Sequence, residues 1–176
     1  IFLLASSLSA ASLVAGAAGG ANGNTFETRL DNGMRVVVRE DHRAPTAVQM
    51  VWYRVGSIDE HDGVTGVAHV TEHMMFKGTP SVGPGEFNRR VAAVGGRDNA
   101  FTSTDYTAYF QQVPAVQLKT VMALEADRMR HLTLDPAGYD KEIQVIMEER
   151  RMRTDDQSSA RVHEAMNAVA WQAHPY

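Results

Sequence analysis

The stretch His69-Val70-Thr71-Glu72-His73 is the most informative part of this sequence. In a helix, residues four positions apart lie one turn apart on the same face, so His69 and His73 can reach a single metal ion. Two neutral imidazoles suit Zn²⁺, and the carboxylate of Glu72 can take a proton from zinc-bound water. This order is the inverse of the H-E-x-x-H zinc motif and serves the same chemistry. Taken alone, the stretch also fits a helix that displays two histidines and a glutamate to solvent.

The segment from Tyr139 to Met152 offers candidates for a third ligand. Catalytic zinc usually has three protein ligands and one open position. The chain contains no cysteine, so the third ligand must be histidine, aspartate or glutamate. Apolar residues recur in this segment at helical spacing, and Glu142 and Glu149 are seven positions apart. Both glutamates therefore lie on one face of the predicted helix.

Several blocks of sequence resemble the M16 metallopeptidases, the inverzincin family of pitrilysin and the mitochondrial processing peptidase. The resemblance covers roughly residues 25 to 176, so the chain looks like the N-terminal part of such an enzyme. The matching blocks are Gly66 to Thr79, Gly95 to Ser103, Tyr106 to Phe110 and Val145 to Glu149.

The resemblance implies a zinc metalloendopeptidase with one Zn²⁺ in its active site. The family's distal glutamate ligand falls on Glu149, which joins His69 and His73 as the metal ligands. Glu72 is implied as the catalytic base that activates zinc-bound water for attack on extended peptides or unfolded protein segments. The family's second essential glutamate falls on Glu142, which we expect to orient one of the metal ligands without binding the metal itself.

The same resemblance places substrate binding on one strand. In the family, an extended peptide pairs through its backbone with the edge strand of the active-site sheet, a mode known as β-augmentation. An ordinary interior hairpin is the alternative for this stretch, and Phe101 also fits a core aromatic residue. The implied substrate-binding residues are Asn99, Ala100, Phe101 and Thr102.

The order of predicted elements indicates an α+β fold, with a mostly antiparallel sheet packed against clustered helices. Asn32-Gly33 lies between two strand candidates, residues 26–30 and 34–39, and predicts a hairpin. Thr65 is the expected N-cap of the helix that carries the histidines, and Pro136 is expected to begin the helix that carries the glutamates. The resemblance implies a LuxS/MPP-like metallohydrolase domain, truncated in this sequence.

The first residues differ from the rest. Residues 1–22 carry no charge and are rich in Ala, Ser and Leu, with an A-x-A-like site at Ala15-Gly16-Ala17. This pattern predicts a secretory signal peptide whose start is missing, with an N-terminal membrane anchor as the alternative. We therefore expect a secreted or periplasmic bacterial protein. Residues 23–176 are then the N-terminal catalytic domain, incomplete at its C-terminal end.

Composition excludes some partners and leaves others open. A net charge of −4 gives no sign of a nucleic-acid surface, and 44% hydrophobic with 22% charged residues is ordinary for a globular protein without a stable membrane span. The resemblance implies a peptide substrate and a second M16 domain or subunit, in a homodimer or a heterodimer. The alternative functions are a non-catalytic M16-like partner subunit of a peptidase complex and a zinc-stabilised protein without catalysis.

Overall fold

The computed structural model describes residues 24–61 and 63–172, which fall into two units divided between Ala44 and Pro45. The predicted signal peptide, residues 1–22, lies outside the described residues. The first unit contains an antiparallel hairpin of β1 (Thr25–Arg29) and β2 (Arg35–Arg39). Gly33 adopts φ +85° in the turn, a conformation that glycine reaches without steric cost. The hairpin predicted from Asn32-Gly33 is confirmed.

The second unit is built on a three-stranded antiparallel sheet. Its strands are β3 (Thr46–Tyr53), β4 (Arg97–Thr102) and β5 (Thr107–Pro114), in the spatial order β3-β5-β4. Within the described part of the chain, β4 pairs only with β5 and is therefore an edge strand.

Five helices accompany this sheet in the described residues, which confirms the predicted α+β class. A π-helical turn at Arg151–Asp155 follows the fourth helix. None of the helices in residues 24–61 and 63–172 has both the length and the apolar character needed to cross a membrane. The helices are α1 (Val67–Met74), α2 (Glu86–Ala93), α3 (Leu118–His131), α4 (Pro136–Arg150) and α5 (Ser158–Ala170).

The main core lies where α2 and α3 meet β5. Next to it, the guanidinium of Arg128 lies 5.1 Å from the ring centre of Phe76, which follows α1, and it also contacts the rings of Phe87 and Tyr109. Arg128 is buried and pairs with the buried Glu125, so its charge is compensated. This cluster ties α3 to the turn after α1. The buried core residues are Val82, Phe87, Val91, Val113, Val121 and Leu124.

The helix α1 begins differently from the prediction. Thr65 is not the N-cap; Gly66 takes that position with φ +93° and makes no side-chain cap. The carboxylate of Glu60 accepts hydrogen bonds from the backbone N–H groups of Gly66 and Ala68, each at 2.7 Å. The carboxylate of a loop residue therefore satisfies two of the N–H groups at the helix start.

Candidate metal centre

Helices α1 and α4 pack together and bring three potential ligands to one point. The Nε2 atoms of His69 and His73 are 3.2 Å apart. Oε2 of Glu149 lies 3.5 Å from Nε2 of His69 and 3.4 Å from Nε2 of His73. The three residues are partly buried, with His69 the most exposed at 38%. Two ligands from one helix thus meet a third from a helix far along the chain.

The spacing of these atoms fits a tetrahedral zinc site. Zinc binds imidazole nitrogen and carboxylate oxygen at about 2.0–2.2 Å, which places tetrahedral ligand atoms about 3.3–3.6 Å apart. The three observed separations span 3.2–3.5 Å. Two imidazoles and one carboxylate are also the donor set of known catalytic zinc sites, in which a fourth position stays open.

Glu142 fixes the orientation of one imidazole. Nδ1 of His73 lies 2.9 Å from Oε1 of Glu142, and Lys77 pairs with the other carboxylate oxygen. Burial alone would raise the pKa of Glu142, but the hydrogen bonds from Lys77 and His73 outweigh it, and the pKa lies below its ordinary value. Because the ionised carboxylate only accepts, His73 carries its proton on Nδ1 and directs the lone pair of Nε2 towards the cluster.

Glu149 divides its two oxygens between different partners. Oε2 faces the imidazoles, whereas Oε1 pairs with Arg153 at 2.6 Å, one turn further along the chain. The side chain of Glu149 is 17% exposed and that of Arg153 is 77% exposed. An exposed pair of this kind adds little stability, but it orients the carboxylate.

A hydrogen bond from the sheet holds the side chain of Glu72. The hydroxyl of Thr102, the last residue of β4, donates to Oε2 of Glu72 at 2.5 Å. Glu72 immediately precedes the candidate ligand His73 on α1, and the bond from Thr102 restricts where its carboxylate can lie. A carboxylate can act as a general base, so Glu72 is a candidate for taking up a proton at this site.

The edge strand β4 has backbone groups that point outward, away from its neighbour β5. Ser103 N–H donates to Tyr106 O at 2.8 Å. In an antiparallel pair, hydrogen-bonded and non-hydrogen-bonded residues alternate along each strand, so the backbone N–H and C=O groups of Thr102 and Ala100 point away from β5. The N–H of Ala100 meanwhile donates to Oδ1 of its neighbour Asn99 at 2.9 Å. One backbone N–H donor on the free edge of β4, that of Ala100, is therefore hydrogen-bonded to the side chain of the adjacent Asn99.

Phe101 lies on the other face of the sheet from Thr102, because successive side chains of a strand alternate. Its ring packs edge-on against Trp52 at 5.8 Å and against Tyr106 at 6.1 Å. Phe101 as a whole residue remains 37% exposed. The structure thus groups Phe101 with aromatic residues and directs its ring away from the face of the sheet on which Thr102 meets Glu72.

Comparison with known proteins identifies the family. The model of the family described as Insulinase (Peptidase family M16) matches residues 35–176. This chain belongs to peptidase family M16.

Relatives of this M16 chain include zinc proteases. The zinc protease PqqE of Helicobacter pylori is 37% identical over 148 residues, which are 84% of this chain and 33% of that protein. The crystal structure of a protease from Helicobacter pylori matches with a TM-score of 0.84 and 35% identity, covering 86% of this chain and 37% of that one. The periplasmic protease PqqL from Escherichia coli matches with a TM-score of 0.77 and 30% identity, covering 86% and 18%. The chain spans about a third of the length of the curated relatives it matches.

Not every residue singled out in the M16 motifs lies at the candidate metal centre. The structure brings together His69, His73 and Glu149, places Glu142 against His73, and joins Glu72 to Thr102. Asn99, Ala100 and Phe101 lie on β4, apart from the three candidate ligands.

Sequence reasoning missed two residues that support this site. Lys77 pairs with Glu142. Its position four residues after His73 could have indicated that the two side chains lie on the same side of the chain. Glu60 caps α1 from a loop, and no spacing in the sequence marks a contact of that kind.

Proposed function

We propose that this chain carries the active site of a zinc-dependent endopeptidase, with His69, His73 and Glu149 as the zinc ligands. The observation that carries the proposal is the triangle of ligand atoms, whose sides of 3.2–3.5 Å fit tetrahedral zinc. The zinc proteases among its relatives support the same metal and the same class of reaction.

Zinc bound at this centre would polarise the scissile carbonyl and lower the pKa of a water molecule. Glu72 accepts the proton of the attacking water and then passes it to the leaving amine. Glu142 keeps the proton of His73 on Nδ1, so that Nε2 remains free to bind the metal.

The substrate that we propose is an extended peptide or an unfolded protein segment, which adds as a strand to β4. Ala100 offers its outward-facing backbone for this pairing, and Asn99 would release the Ala100 N–H as the peptide binds. Phe101 would then contact the peptide only from the far face of the sheet. Strand addition needs an extended segment with free backbone N–H and C=O groups, and unfolded segments supply such groups most readily.

We place the whole protein outside the cytoplasm and assembled with a second M16 domain or subunit. The predicted signal peptide supports export, and one structural relative is described as a periplasmic protease. The relatives are longer than this chain, which supports a further domain in the working enzyme.

Metal analysis and peptide cleavage by the Glu72→Gln variant of the natural full-length protein test the function. We expect the variant to keep one zinc per site and to lose about 10²–10⁴-fold in kcat, the usual contribution of a general base. Chelation of the metal should abolish cleavage by the unsubstituted protein, and added Zn²⁺ should restore it.

Glu148→Gln is the matched control, because Glu148 is an exposed neighbour of Glu149 that pairs with Arg151. It should cleave at the normal rate. Unchanged cleavage by Glu72→Gln would remove Glu72 from its role. A zinc-loaded but inactive unsubstituted protein would instead identify a non-catalytic M16 subunit.

A further inference from the structure

The hydrogen bond between Thr102 and Glu72 joins the edge of the sheet to the helix that carries the metal-binding histidines. Thr102 Oγ1 lies 2.5 Å from Oε2 of Glu72, and the contact is partly buried. The two residues are 30 positions apart in the sequence, so the bond depends on the packing of β4 against α1. A short hydrogen bond from a hydroxyl to an ionised carboxylate is among the stronger ones in proteins.

The hydroxyl of Thr107 also lies next to Oγ1 of Thr102. Oγ1 of Thr107 lies 2.9 Å from the backbone oxygen of Val55 and 3.3 Å from Oγ1 of Thr102. A carbonyl oxygen only accepts, so the single hydroxyl proton of Thr107 is committed to Val55. The carboxylate of Glu72 also only accepts, so the hydroxyl of Thr102 donates its proton to Glu72 across the shorter of its two contacts, 2.5 Å against 3.3 Å.

The side chain of Thr102 is also turned away from a peptide at the strand edge. It lies on the face of the sheet opposite Phe101, while its backbone groups point outward along the edge. The same residue can thus pair with substrate through its backbone and hold Glu72 through its hydroxyl.

We propose that Thr102 is a positioning residue for Glu72, and this proposal rests on the proposed function of Glu72 as general base. A glutamate side chain has several rotatable bonds, and the hydrogen bond to Oε2 restricts the carboxylate to placements within reach of Thr102. The other oxygen, Oε1, is then the one assigned to proton transfer. Thr102 acts on the reaction only through Glu72, so we expect its loss to lower kcat and to leave KM unchanged.

The test compares Thr102→Val and Thr102→Ser in the zinc-loaded natural full-length protein. Valine keeps the shape of threonine and removes the hydroxyl, whereas serine keeps the hydroxyl. We expect Thr102→Val to lower kcat about ten- to hundredfold, the usual range for a hydrogen bond to a charged group, with KM and zinc content unchanged. Thr102→Ser should recover most of the lost activity.

Thr71→Val is the matched control on α1. The hydroxyl of Thr71 donates only within its own helix, to Val67 O at 2.7 Å, so its removal should leave kcat unchanged. A normal kcat in Thr102→Val overturns the proposal. A rise in KM alone in Thr102→Val would assign a peptide contact instead, and equal losses in the valine and serine variants would assign a packing role.

Crystal structures of the unsubstituted protein and of Thr102→Val separate this proposal from the proposed function. We expect Glu72 within hydrogen-bond distance of Thr102 in the first and displaced in the second. A separation beyond that distance in the unsubstituted protein overturns the positioning role, whatever the activity. If the bond is present but Glu72→Gln cleaves normally, the proposed function fails and the kinetic role of Thr102 fails with it.

Discussion

At the scale of single residues, the candidate metal centre depends on side chains that hold other side chains. His73 is held by Glu142, which is in turn paired with Lys77, and Glu72 is held by Thr102. Such outer partners set the tautomer and the direction of a ligand, which gives them a large effect on metal affinity. The geometry of the site is therefore sensitive to residues that would never touch the metal.

Replacing Glu142 by alanine should weaken zinc binding about 10- to 100-fold, because the Nδ1–H of His73 loses its acceptor. Glu142→Gln should lose less, since an amide oxygen can still accept this bond. Competition with a chromophoric chelator measures the Kd of each variant.

Gln144→Ala is a suitable control for this measurement, because Gln144 is an exposed residue on the same helix. Its Kd should match that of the unsubstituted protein. Equal zinc affinity in Glu142→Ala and in the unsubstituted protein would show that Glu142 does not support His73.

At the scale of secondary-structure elements, Asp127 attaches the loop after α1 to α3. Oδ2 of Asp127 accepts from Thr79 Oγ1 at 2.5 Å and from Ser81 Oγ at 2.7 Å, while Oδ1 lies 3.0 Å from Nδ1 of His131. These hydrogen bonds, that from Thr79 above all, hold the pKa of Asp127 below its ordinary value. The ionised carboxylate is therefore the form that stabilises the loop.

A depressed pKa in the folded state predicts how stability depends on pH. The contribution of Asp127 is fully present above the ordinary aspartate pKa and is lost as pH falls through the lower folded-state value. Asp127→Asn should thus be less stable than the unsubstituted protein at pH 7, and the difference should shrink below about pH 4.

Denaturant unfolding between pH 7 and pH 3 measures this difference, because the other carboxyl groups titrate alike in both proteins and cancel. Asp140→Asn, at an exposed position on α4, should show no such pH-dependent difference. A stability difference that stays constant down to pH 3 would argue against the depressed pKa of Asp127.

The helices and strands were the part of the structure that the sequence predicted best. The Asn32-Gly33 hairpin and the Pro136 helix start depend on local backbone preferences, and the structure has both. The start of α1 was predicted one residue early, because Glu60 caps it from a loop that no local pattern connects to the helix. The bond from Thr102 to Glu72 was also beyond prediction, since it depends on how β4 packs against α1.

At the scale of the whole molecule, the proposed metal joins distant parts of the chain. His69 and His73 lie on α1, and Glu149 lies at the end of α4, after two strands and two further helices. An unfolded chain does not hold these three residues together, so zinc at the proposed site would bind the folded state preferentially. Binding to the folded state alone raises the free energy of unfolding by mass action.

Zinc should therefore stabilise the natural full-length protein, by about 2.7 kcal/mol when free zinc exceeds its Kd a hundredfold. Thermal unfolding with and without the metal measures this as a rise in Tm. Glu149→Gln should lose most of the rise, because the amide is a much poorer zinc ligand than the carboxylate. Glu72→Gln should keep the full rise, because Glu72 is proposed as a base and not as a ligand. An equal rise in Tm for Glu149→Gln and the unsubstituted protein would place the metal elsewhere, and the coordination by α1 and α4 together would then be wrong.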